Sequence, residues 1–146
     1  MKIFPATTNH EYTGSKASVF FLGLMAIITI IPGCIHTFLP DGGAGVIAKL
    51  DLSYNGPLII KLFAWAGITQ IVWGIMALLV TLRYRTFAPL MLTLFLLERS
   101  LHAYNMWLGK SASLDGHHPP EAYATLVMIP LLGLFLGLAV RAKKGE

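Results

Sequence analysis

The chain has 146 residues, of which 55% are hydrophobic and only 12% charged, and its mean hydropathy is +0.68. A soluble domain carries about 25% charged residues, so half that share excludes an ordinary water-facing surface. The excess of eleven Lys and Arg over seven Asp and Glu calls for no nucleic-acid partner, because the placement of the charges along the chain explains it.

Residues 1–16 read as a polar lead-in. Four apolar stretches follow, at about 17–39, 58–82, 87–108 and 122–140, each near the roughly 20 residues that cross a bilayer as a helix. The pattern predicts an all-α fold, a bundle of four transmembrane helices forming one membrane domain over 1–146. In the first helix, Pro32-Gly33 predicts a kink, and Pro40-Asp-Gly-Gly-Ala-Gly45 predicts a turn, since glycine tolerates positive φ. A short surface helix is expected over 46–52. In the second helix Ala66, Gly67 and Gly74 predict close helix approach, and Gly133-x-x-x-Gly137 in the fourth predicts tight contact, within the subunit or between subunits. Pro89 suits the first turn of the third.

Lys2, Lys16, Arg83, Arg85, Arg141, Lys143 and Lys144 flank the two tails and the second loop, whereas the first and third loops hold Lys49 and Lys110 beside Asp41, Asp51, Asp115 and Glu121. The positive-inside rule therefore predicts both termini in the cytoplasm and the first and third loops outside; the expected membrane is a bacterial cytoplasmic one. Cys34 is the only cysteine, which excludes an internal disulfide and a cysteine-rich metal site.

The third helix carries Glu98, Arg99, His102 and Asn105. Ionisable residues inside a membrane are costly and mark a functional site by default. Glu98, His102 and Asn105 fall at i, i+4 and i+7, on one helix face, with Arg99 about 100° round at its edge. Gln70 on the second helix lies at the expected depth of Glu98, near mid-membrane, and His36 on the first at that of His102. These residues define a possible polar cluster with three chemical uses. It could be a Glu–Arg pair that holds the bundle together. It could be a quinone or lipid site walled by Trp65, Trp73, Tyr104 and Trp107, since such sites are apolar with few converging polar groups. It could bind a metal or haem through His36 and His102, imidazole being a transition-metal ligand. His117 and His118, beside Glu121, form a second metal candidate in the third loop. A solvated turn is the alternative there, with Glu121 favoured at the positive start of the last helix.

Four helices in a chain of this length, a first helix broken by Pro32-Gly33, and the run Gly33-Cys-Ile-His36-Thr-Phe-Leu-Pro40-Asp-Gly-Gly-Ala-Gly45 resemble the bacterial DoxX-like membrane proteins. That resemblance implies an accessory role near quinone-linked redox complexes. Glu98-Arg99-x-x-x-Ala103 is also similar to part of the MAPEG motif of membrane glutathione transferases. There the asparagine falls one residue later and the motif lies in the second helix, so no glutathione site is carried over. The expected function is a non-catalytic membrane protein: an accessory subunit or a lipid- or quinone-binding protein, associated with membrane lipids and with other subunits or copies of itself. A small membrane enzyme with Glu98 or His102 as acid or base is the alternative.

Overall fold

The computed structural model describes residues 3–109 and 118–141, and among them there is no strand. The four main helices are α1 (Lys16–Phe38), α2 (Gly56–Arg83), α3 (Ala88–Tyr104) and α4 (Pro120–Val140). They match the expected stretches to within a few residues, because a long apolar run declares itself locally. Pro89 stands in the first turn of α3 as expected, and α1 runs on across Pro32. α1, α2 and α4 are long and apolar enough to cross a membrane. Only 17% of the apolar window of α4 is buried within the chain. The remainder needs an apolar surrounding, and lipid supplies one. α3 has 17 residues in α-helical form, about 26 Å at 1.5 Å per residue, and then widens into a π turn over Asn105–Gly109.

The chain divides into two compact units, Leu24–Leu78 and the remainder, so that α1 and α2 each contribute to both. In the unit made of Met1–Gly23 and Leu79–Glu146, α3 packs on α4, and Leu92 and Phe95 of α3 and Leu132 of α4 are fully buried. The start of α1 meets the end of α4, where Phe21 stacks on Phe135 at 4.1 Å and Ser18 Oγ donates to Phe135 O at 2.8 Å. The first residues are more than a polar lead-in. Thr8 N and Thr7 Oγ1 both donate to Arg83 O, and Asn9 Nδ2 donates to Leu82 O at 2.7 Å. A helix end leaves four carbonyls without partners, and this segment satisfies two of those at the end of α2. That role depends on distant residues meeting, so the local sequence gave no sign of it.

In the unit Leu24–Leu78, α1 and α2 approach through glycines. A Cβ on Gly33 would lie 2.9 Å from Gly67 O, and one on Gly67 would lie 2.7 Å from Gly33 O. Gly74 lies against Ala26 O and Ile30 in the same way. The close approach expected at Gly67 and Gly74 is therefore present, while Ala66 is exposed. The approach expected at Gly133 and Gly137, within the subunit or between subunits, does not occur within the described chain. A Cβ on either would meet nothing within 4 Å, because that face of α4 points away from the described chain.

The surface helix expected over 46–52 is instead a run of hydrogen-bonded turns. Gly42 and Gly43 take φ of 60° and 76°, which bends the backbone back on itself. Asp41 then gathers the N–H groups of Gly43, Gly45 and Val46 at 2.9–3.1 Å. These backbone hydrogen bonds, from Val46 first and then Gly43, hold the Asp41 carboxyl below its ordinary range. A folded pKa below the unfolded value stabilises the turn at any pH above the unfolded value, about 3.9. The contribution disappears as pH falls through the lower folded value. Hydrogen exchange at Gly45 and Val46 should accordingly quicken below about pH 4 relative to the amides of Ile47 and Ala48, which bond to Gly43 O. Asp41→Asn should remove that pH dependence.

Candidate functional site

α3 and α4 position the charged residues. Arg99 is 8% exposed, yet it lies on a helix that offers no carboxylate on the same stripe one turn away. Its partner comes from the neighbouring helix: Nη1 donates to Glu121 Oε1 at 2.8 Å. Glu121 is in the first turn of α4, where a negative charge is also favoured by the helix dipole. On its other side Arg99 Nε approaches Glu98 Oε2 at 3.2 Å, but off the hydrogen-bonding direction. The guanidinium therefore carries one charge-assisted hydrogen bond and one ionic contact, and it joins two carboxylates. His102, one turn beyond Glu98 on the same face, has Nδ1 4.0 Å from Glu98 Oε1. That separation is an ionic contact when the ring is protonated and too long for a hydrogen bond.

Beyond this cluster the π turn brings Trp107 to α4. Its Nε1 donates to Ala122 O at 3.4 Å, its ring lies 4.3 Å from that of His118, and Tyr123 meets it edge-on at 5.4 Å. Single π turns recur at functional positions in helices; this one supplies the contact between the end of α3 and the start of α4. Asn105 shares the stripe of Glu98 and His102, but its Nδ2 donates back to Leu101 O at 3.0 Å, within its own helix.

Glu121 is one residue into α4, a helix long and apolar enough to cross a membrane, so Arg99 pairs with the end of that helix. The sequence alone offers Glu121 as a neighbour of the His117-His118 metal candidate or as a solvated helix-start residue, and not as the partner of Arg99. A signal was present nonetheless: it is the only acidic residue of α4, and a buried Arg needs a carboxylate from some neighbour.

The remaining residues of the expected cluster, His36 and Gln70, belong to the other unit. His36 Nδ1 lies 2.6 Å from Gly42 O, and its ring meets Phe63 edge-on at 5.1 Å, so it pins the turn after α1. Gln70 is half-buried, with its Oε1 enclosed and without a hydrogen-bond donor. Of the expected pocket walls, Trp65 and Tyr104 are exposed on the surface, and Trp73 and Trp107 are half-buried. Two hollows lie elsewhere, one bounded by Leu39 and Ile47 and one by Tyr12 and Arg85. Among the described residues no three His, Cys, Asp or Glu side chains gather as a metal site would require. His118 lies on Trp107 while Glu121 serves Arg99; His117 is outside the described residues.

The arrangement can therefore clamp α3 to α4, and it leaves Glu98 and His102 as the ionisable pair beside the clamp. No family model, curated protein or solved structure matches the chain.

Proposed function

We propose that this chain is a non-catalytic integral membrane protein of a bacterial cytoplasmic membrane. In this reading α3 with its π turn completes a fourth span, both termini are cytoplasmic, and the chain serves as an accessory subunit or a lipid- or quinone-binding protein. The observation that carries it is the engagement of Arg99 by both Glu98 and Glu121. The guanidinium holds Glu121 of the neighbouring helix by a hydrogen bond of 2.8 Å and touches Glu98 on its own, an arrangement suited to packing and orienting α3 against α4. The broad apolar exposure of α2 and α4 suits contact with lipid or with another membrane subunit.

Native mass spectrometry of the protein released gently from the membranes that produce it tests this reading. The expected spectrum shows the chain carrying a quinone, a lipid or a second membrane subunit. A bare monomer in every preparation would overturn it, and so would turnover of a lipid-like substrate that is abolished by Glu98→Gln or His102→Gln.

A further inference from the structure

Two cations stand beside one hollow with no carboxylate to pair with. Lys16 opens α1 and Arg85 follows the end of α2, both in the unit of Met1–Gly23 and Leu79–Glu146. They border a hollow of about 300 Å³ whose other walls are Tyr12, Val19, Phe20 and Thr81. Among the described residues neither cation makes an ion pair. Arg85 is nonetheless held in place, its Nε donating to Thr81 O at 3.1 Å and its backbone N–H to Asn9 Oδ1 at 3.3 Å. Those bonds leave its two Nη groups without an acceptor among the described residues. Neighbouring Arg83 differs, since its Nη2 donates to Pro5 O at 3.2 Å. Tyr12 is a fixed wall: its hydroxyl donates to Ser15 O at 3.2 Å, and its ring covers Gly14, where a Cβ would have no room.

The order of these residues along the chain carries the argument. Val19 and Phe20 follow Lys16 by three and four residues, and Thr81 precedes Arg85 by four. On both segments the cation therefore stands about one helical turn outward of an uncharged wall. A phospholipid has the same order, with its anionic phosphate at the boundary and its acyl chains one layer deeper. We infer that the hollow binds a phospholipid whose headgroup is net negative, its phosphate between Lys16 and Arg85 and a chain against Val19 and Phe20. The inference rests on the reading of this chain as a lipid-binding membrane protein and names the class of lipid. In that reading Lys16 at the start of α1 and Arg83 at the end of α2 lie at the headgroup layer. Lys and Arg suit that depth, because the apolar stem packs on hydrocarbon while the charged head reaches phosphate. A zwitterionic lipid brings its own ammonium toward the two cations and fits less well. A soluble anion leaves the apolar wall in water, with Phe20 77% exposed.

Photoactivated lipids test this on the full chain in phosphatidylcholine vesicles. Trace phosphatidylglycerol or phosphatidylcholine carrying a diazirine in one acyl chain is photolysed, and the labelled peptides are read by mass spectrometry. Phosphatidylglycerol should label residues 12–20 and 81–85 in preference to phosphatidylcholine. Lys16→Gln and Arg85→Gln should each weaken that preference about fivefold. Arg85→Lys, which keeps the charge, should retain it, and so should Lys49→Gln with Lys61→Gln, which removes two charges in the other unit. Equal labelling by the two lipids at 12–20 and 81–85, with the middle of α2 still labelled, overturns the site alone. A preference that survives both Lys16→Gln and Arg85→Gln does the same. A preference erased by inorganic phosphate, but not by chloride at equal ionic strength, makes the occupant a soluble anion and overturns the lipid. No labelling anywhere in α1, α2 or α4 overturns the membrane reading itself, so the two failures are distinct.

Discussion

Replacing Arg99 by methionine should destabilise the fold by about 3 kcal/mol, the low end of the cost of removing one partner from a buried ion pair. The low end applies because the Glu98 and Glu121 side chains are 39% and 41% exposed, so each can regain part of its solvation. Methionine occupies a similar volume, and the loss is therefore electrostatic: two carboxylates now face each other with no cation between them. Triple replacement, Glu98→Gln with Arg99→Met and Glu121→Gln, should recover most of the stability, since buried ion pairs exchanged as a set for neutral residues are often near neutral. Glu121→Gln alone should cost less than Arg99→Met, because Glu98 still balances the guanidinium. Chemical unfolding in detergent micelles measures all of these. An Arg99→Met protein as stable as the parent would show that the contact between α3 and α4 does not depend on the clamp.

The second large effect is a pair of opposite signs from one substitution. Gly67→Ala places a methyl group 2.7 Å from Gly33 O, the His36 Cβ and the Thr37 Oγ1. The Gly33 carbonyl is backbone and the His36 Cβ is fixed to the backbone, so α1 and α2 must move apart, at an overpacking cost of about 1–3 kcal/mol. Gly133→Ala meets nothing within 4 Å, and only the helical preference of alanine over glycine acts there, a gain of up to about 1 kcal/mol. The expected outcome is a lower unfolding midpoint for the first variant and an unchanged or higher one for the second. A stabilising Gly67→Ala would mean that the two helices do not approach as closely as described.

Not every glycine pair or polar residue announced its role in the sequence. Gly67 and Gly133 both sit in apolar helices at spacings typical of close packing, and only one is packed within the chain. His36 and His102 stood as equal ligand candidates; one pins a turn through Gly42 O, and the other faces Glu98. Asp41 looked like an ordinary turn residue, although its carboxylate organises the whole loop after α1.

Composition and apolar run length by themselves determined that the chain is helical and where its helices begin and end to within a few residues; they predict four spans, and α1, α2 and α4 are the three helices long and apolar enough to cross a membrane. These are local properties: a stretch of about 20 apolar residues needs no partner to declare a span. They also located the charged stretch Glu98-Arg99 with His102 on the face of Glu98. The tertiary structure alone decided that Arg99 belongs to Glu121, that residues 7–9 cap α2, and that α1 and α2 meet at Gly33 and Gly67. Each of these depends on which faces of separate elements come together, and an ion pair or a backbone contact between residues 22 to 76 positions apart leaves no periodicity in the chain that forms it.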